Sequence, residues 1–183
     1  MAANDIRVFN SPLGGHSRKH QGRANDTAFR VGEVVFIDAD GDVDGVGNNP
    51  ATIAGVALEP VGPTATPHNN YKTGTAYATG DVVSFVAATS DTFFVTSKFS
   101  TDGTATALAV PTRANIGDLC GIAVGAQGNT VDTAVANKSV IILDVLDANG
   151  VTLQRSDAGT GTQVVFKFGA FLAGVNIQFQ SIA

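Results

Sequence analysis

Gly32-Glu33-Val34-Val35-Phe36-Ile37, answered downstream by Ile53-Ala54-Gly55-Val56-Ala57-Leu58, is the stretch that decides the fold. A glycine and an acid close a turn, and four apolar residues follow. Such a run is too short for a helix and suits a buried strand. The pattern recurs: Gly80-Asp81-Val82-Val83 opens a second run, and Gly117-Asp118-Leu119 leads into Cys120-Gly121-Ile122-Ala123-Val124-Gly125. The copies are out of step, since Gly32 and Gly80 lie 48 residues apart while Gly55 and Gly121 lie 66 apart. Either the chain is duplicated with about 18 extra residues near 93–110, or Gly-acid is simply how it writes the start of a strand.

Outward from this stretch the strand signals stay dense. Val82–Val86 and Phe93–Thr96 read as a hairpin across Ala87–Asp91. Tyr71–Ala78, Leu119–Val124, Val140–Leu146, Gln163–Phe168 and Asn176–Gln180 read as further strands, and Ala105–Val110 as a strand or one helical turn ended by Pro111. Asp38–Pro50 reads as a loop, and Pro60, Pro63 and Pro67 as a stiff connection. Asn149-Gly150 between apolar runs is the strongest short hairpin signal, because both residues tolerate positive φ. With 21 glycines and no helical period sustained over three turns, the expectation is an all-β protein, a compact β-barrel or β-sandwich.

The chain has 183 residues and 44% apolar content, enough for a core without staples. Charge is sparse at 15%, so much of the surface is small and polar or covered by partners. Residues 1–30 carry five basic groups against two acidic, a balance of +3; the rest carry six against fourteen, a balance of −8. Residues 1–28 read as an extended N-terminal arm, weakly basic, before a body over 29–183 with a Phe-rich C-terminal strand region. Deletion of the arm is expected to leave the body folded. An acidic body is a poor partner for nucleic acid. No run has the eighteen or so apolar residues that span a membrane, so no membrane partner is expected. The opening residues lack a basic segment followed by an apolar one, so synthesis in a cytoplasm is expected.

Chemistry is thin by comparison. Asp38, Asp40, Asp42 and Asp44 stand within seven residues. Counted from Asp40, the spacing fits the first half of a calcium loop, with Gly45 at position six. The second half fails, with Pro50 and Ala51 at positions eleven and twelve where a bidentate Glu is needed. The reading is an exposed acidic loop or a weak Ca²⁺ site, with no other cofactor. His16 and His20 stand four apart, but Gly14-Gly15 before them argues against the helix a metal pair would need. Arg18, Lys19, His20 and Arg23 suit an acidic surface on another subunit. Phe171 and Phe179, among the C-terminal phenylalanines, are either core or subunit interface. Cys120 is the lone cysteine and reads as a small buried hydrophobe. No hydrolase, zincin, P-loop or dinucleotide motif occurs, and three histidines in loop or arm segments make acid–base chemistry hard to assemble, so an enzyme is not expected.

The line Val31-Gly32-Glu33-Val34-Val35 to Ile53–Glu59, then Ala76–Val86 with Gly80-Asp81-Val82-Val83, then Ile122–Val124, resembles the small β-barrel decoration (cement) proteins of tailed-bacteriophage capsids, over roughly residues 29–146. The resemblance implies a non-enzymatic structural virion protein that binds the outer surface of an icosahedral capsid and reinforces it. It further implies the major capsid protein as partner, a homotrimer, and a place on the capsid surface. The arm would then be a clamp onto neighbouring subunits. The competing reading is a calcium-dependent binding or adhesion module of head-fibre type, built on the acidic 38–50 loop.

Overall fold

The computed structural model describes residues 6–9, 19–25, 29–59, 61, 78–153 and 161–179. Among them run fourteen strands: β1 (Arg7–Val8), β2 (Lys19–Arg23), β3 (Val34–Ile37), β4 (Val43–Gly45), β5 (Thr52–Ile53), β6 (Gly55–Ala57), β7 (Val82–Ala87), β8 (Phe94–Thr96), β9 (Phe99–Ser100), β10 (Leu119–Gly125), β11 (Gly128–Asp132), β12 (Val140–Leu146), β13 (Gln163–Phe168) and β14 (Asn176–Ile177). The one helical element described is a 3₁₀ turn over Arg113–Asn115. A seven-stranded sheet in the order β1-β8-β13-β12-β10-β11-β9 faces a five-stranded sheet in the order β2-β7-β6-β3-β4, while β14 lies parallel to β5. The chain is all-β. Of the two expected architectures the sandwich is observed: neither sheet is closed into a barrel by a strand ladder, and the edges of the five-stranded sheet touch only at one isolated bridge.

The consecutive apolar residues of the opening stretch now have a reason. In β3, Val34 and Phe36 point into the large core shared with the seven-stranded sheet, beside Phe94, Ile122, Phe166 and Phe168. Val35 and Ile37 point the other way, into a second core with Phe29, Val43, Val83 and Phe85. A strand buried on both faces reads as a continuous apolar run, not an alternating one. The second core exists because the five-stranded sheet curls until its two edges meet at one bridge, Ala24 to Val43, with the Asn25 N–H donating to the Val43 carbonyl at 2.9 Å. Phe94, Phe166 and Phe168 pack as a triad in the large core, with ring centroids 5.2–5.8 Å apart.

The recurring Gly-acid pair is a turn device. Gly32, Gly80 and Gly117 all hold positive φ, at 80°, 89° and 93°. Each is the third residue of a four-residue turn closed by a backbone bond: Glu33 N to Arg30 O, Asp81 N to Ala78 O, Asp118 N to Asn115 O. The acid that follows reaches back to the first residue of its turn. Glu33 accepts from Arg30 N at 3.0 Å, Asp81 from Ala78 N at 2.8 Å, and Asp118 from the Asn115 side-chain amide at 2.9 Å. The motif is thus how this chain starts a strand. The strands it starts do not pair alike, because β3 and β7 flank β6 whereas β10 lies in the other sheet. The answering glycines are needed for close approach: a Cβ on Gly55 would overlap the Val86 carbonyl, and one on Gly121 the Asn137 carbonyl and Val135.

Polar ties lock the sheets together. The Asn129 side-chain carbonyl, from β11, accepts from the Val34 backbone N–H of β3 at 2.7 Å in the buried interior. The 46–51 connection crosses between the layers: Asn49 N donates to Ile122 O at 3.1 Å, Val124 N to the Asn48 side chain at 3.0 Å, and Asn137 pairs twice with Asn49 at 2.7 Å.

Several expectations are corrected. Val82–Val86 and Phe93–Thr96 are not a hairpin: β7 belongs to the five-stranded sheet and β8 to the seven-stranded one. The connection folds on itself, with Thr92 N donating to Thr89 O at 3.2 Å and the two hydroxyls 2.6 Å apart, and it carries the chain across the sandwich. Asp38–Pro50 is not all loop, because β4 returns along β3 as a tight hairpin. Residues 105–110 form neither strand nor helix but a bend, with Ala105 at φ 51°. The described parts of the expected arm belong to the body. There β1 edges the seven-stranded sheet against β8, and β2 pairs five residues with β7, with Ile6 and Ala24 fully buried. Asn149-Gly150 does turn a hairpin, with Asp147 N donating to Val151 O at 2.9 Å and Thr152 bridging to Leu146. The expected strand over 71–77 lies outside the described residues.

Replacing Asn129 with Ala strips the acceptor from a buried N–H and should lower unfolding free energy by about 1–3 kcal/mol in urea titration. Removal of residues 1–28 should lower the urea midpoint, because it uncovers β7 and empties the Ile6 and Ala24 positions; an unchanged midpoint would restore the picture of a separate arm.

Candidate functional site

Two clusters contain the residues singled out by the sequence. In the first, the acidic hairpin, Asp38 faces inward on its own turn. Its carboxylate accepts from Asp40 N and Asp42 N, both at 2.9 Å, and from the Asn25 side-chain amide. These bonds, the one from Asp42 foremost, hold its carboxyl below the usual range. Asp42 forms a two-pronged pair with Arg23, Nε to Oδ1 at 3.0 Å and a terminal nitrogen to Oδ2 at 2.9 Å. Asp44 accepts from Gly45 N at 3.0 Å, and Asp40 is exposed. The four carboxylates therefore do not converge. Among the described residues no three His, Cys, Asp or Glu side chains are grouped to hold a metal ion.

In the second cluster, His20 and Phe179 come together. His20 lies opposite Phe85 across β2 and β7, its ring 4.4 Å from that of Phe179 and 5.8 Å from that of Phe85. Phe85 and Phe179 are 5.7 Å apart. Phe85 belongs to the second core, and Phe179 packs against it. Phe179 is held there by its neighbour. The Gln178 amide accepts from Ile37 N at 2.8 Å and donates to Ile37 O at 2.7 Å, so one side chain makes the two bonds of a strand residue. Lys19 points to solvent at the start of β2. Phe171 is half-buried and folds back over Gly169, away from this cluster. Arg18, His16 and His68 lie outside the described residues.

Sequence reading missed one site of dense polar contact. Asp102 gathers Thr104 N at 2.8 Å, Thr106 N at 3.1 Å, Ala107 N at 3.0 Å and the Ser100 hydroxyl at 3.0 Å, and these bonds, that of Thr104 foremost, hold its carboxyl far below the usual range. The loop it ties covers Ala123 and Val135 on the outer face of β10 and β11. The available signal was Asp102-Gly103 followed by threonines, a turn in which Asp caps downstream amides. Cys120 is fully buried, and burial pushes its thiol up to about 12, which leaves it without thiolate character near neutrality.

Among the described residues the surface also carries exposed apolar positions. Leu119 is 41% exposed and pairs with Ile141, which pairs with Lys167. That row lies on the outer face, because the adjacent row Cys120–Val140–Phe168 is buried in the core. A shallow depression of 240 Å³ lies between Phe36, Val46, Pro50 and Thr52. No helix among the described residues is long and apolar enough to cross a membrane. No family model matches the chain, and no curated protein sequence does either.

The carboxylates make an acid-stability prediction. Asp38, Asp102 and Asp147 are all held below their ordinary value of 3.8 when folded. Their contribution is present above that value and is lost as pH falls from it toward each folded pKa. Urea midpoints should therefore drop on acidification below about pH 4. The gap between the wild-type chain and Asp102→Ala should narrow over the same interval; a gap independent of pH would remove Asp102 from the account.

Proposed function

We propose that this chain is a non-enzymatic structural virion protein, a decoration or cement protein that binds the outer surface of an icosahedral phage capsid. The observation that carries the reading is the Gly-acid turn, used three times to launch short strands of a two-sheet body. The resemblance to cement proteins rests on those same residues. The work of such a protein is mechanical: each copy buries surface across seams between capsid subunits, and many copies together hold the shell by avidity. The rims of the sandwich suit that task. The two strands from residues 6–25 lie at the outer edge of each sheet, and Lys19, Gln21 and Arg23 are exposed along one of them. The major capsid protein is the proposed partner, self-association into a trimer the proposed assembly, and the capsid surface the proposed location.

Shells assembled from the proposed partner, a major capsid protein, should carry this chain down on sedimentation at a fixed, saturable ratio, and should resist heat better when it is bound. Chelator should not release it, nor should Asp40→Asn with Asp42→Asn. Failure to co-sediment with mature shells would overturn the capsid reading, and calcium-dependent binding would transfer the function to the acidic hairpin.

A further inference from the structure

Asn149-Gly150 is the chain's single Asn-Gly pair; every other asparagine precedes a residue with a side chain. It sits at the exposed tip of the hairpin between β12 and Thr152. Gly150 holds φ 78°, and nothing lies within 4 Å of where a Cβ would stand, so the turn is uncovered on that side. Against this, Asp147 restrains the turn. Its carboxylate accepts from Asn149 N at 2.7 Å and Val151 N at 2.9 Å, and its carbonyl accepts from Gly150 N at 3.1 Å.

We propose that Asn149 is a site of spontaneous deamidation whose rate is set by Asp147. Once the turn opens, hydroxide removes the proton from Gly150 N, and that nitrogen attacks the Asn149 side-chain carbon. A nitrogen–carbon bond forms, the bond to Nδ2 breaks, and ammonia leaves with a proton from water. Water then opens the five-membered imide to an aspartyl or isoaspartyl residue at position 149. In the closed hairpin the attacking nitrogen is engaged by the Asp147 carbonyl, so the reaction waits on opening. The isoaspartyl product adds a methylene to the backbone of the turn that sets Leu153, 6% exposed, into the large core. Either product adds a negative charge beside Asp144 and Asp147.

The test is peptide mass mapping of the full chain incubated at mildly alkaline pH, with chromatographic separation of aspartyl and isoaspartyl forms. Amide loss at Asn149 should be several-fold faster in Asp147→Ala than in the wild-type chain, and faster still in wild-type chain unfolded by guanidinium. The unfolded arm keeps the test valid if the variant folds poorly. Retention of the Asn149 amide in the unfolded chain would overturn the site. Equal rates in folded and unfolded wild-type chain, or no acceleration in a folded Asp147→Ala variant, would overturn the control by Asp147.

Discussion

A sheet that is apolar on both faces has to be covered twice. The β3–β6–β7 layer sends Val34, Val56 and Val86 to one side and Val35, Ala57, Val83 and Phe85 to the other. The seven-stranded sheet covers the first side. The second has no third layer to meet it, so the five-stranded sheet bends over its own face until Ala24 and Val43 touch. Full burial of each large side chain is worth about 1.5–3 kcal/mol relative to exposure. That scale explains why both ends of the described chain are drawn in: β2 extends the layer, and Phe179, with His20 against its ring, packs onto the second core.

The second constraint is backbone satisfaction where the described residues form almost no helix. Each turn between short strands leaves amide N–H groups that need acceptors. Here acidic side chains supply many of them: Glu33, Asp38, Asp81, Asp102 and Asp147 all accept from backbone nitrogens of their own turns. A sparse set of charges is therefore concentrated at chain reversals. Of the four carboxylates that look like a ligand set in sequence, Asp38 and Asp44 are engaged by the backbone, Asp42 by Arg23, and Asp40 is exposed.

This explains what the sequence made legible. The all-β class was readable because a two-sided buried strand leaves an unbroken apolar run, as at Val34–Ile37. The Asn149-Gly150 hairpin was readable because its turn needs positive φ at one position, which Gly150 supplies; Asn149 does not itself hold positive φ. The partition between sheets was not, since Val82–Ala87 and Phe94–Thr96 look like hairpin partners and only the long-range pairings of β7 with β2 and β6, and of β8 with β1 and β13, separate them. Lys19–Arg23 was missed as a strand because its residues are polar; it is ordered by the ladder on β7 and by Gly22 lying flat against Val43. At the candidate sites, spacing alone suggested convergence at Asp38–Asp44. The partners that prevent it, Arg23 and Asn25, come from a segment with no visible connection to that loop in the sequence.

Gln178 has a wider consequence. β3 lies inside its sheet, but β6 pairs only with Val34 and Val35, so the N–H and C=O of Ile37 need partners from elsewhere. One carboxamide protects both, occupying the donor and the acceptor at once. A full strand would spread that protection over many residues and tolerate the loss of one. A single side chain has no such redundancy. The pairing of β3 beyond the end of β6 thus rests on the identity of one residue, where Glu would forfeit the donor and Leu would forfeit both.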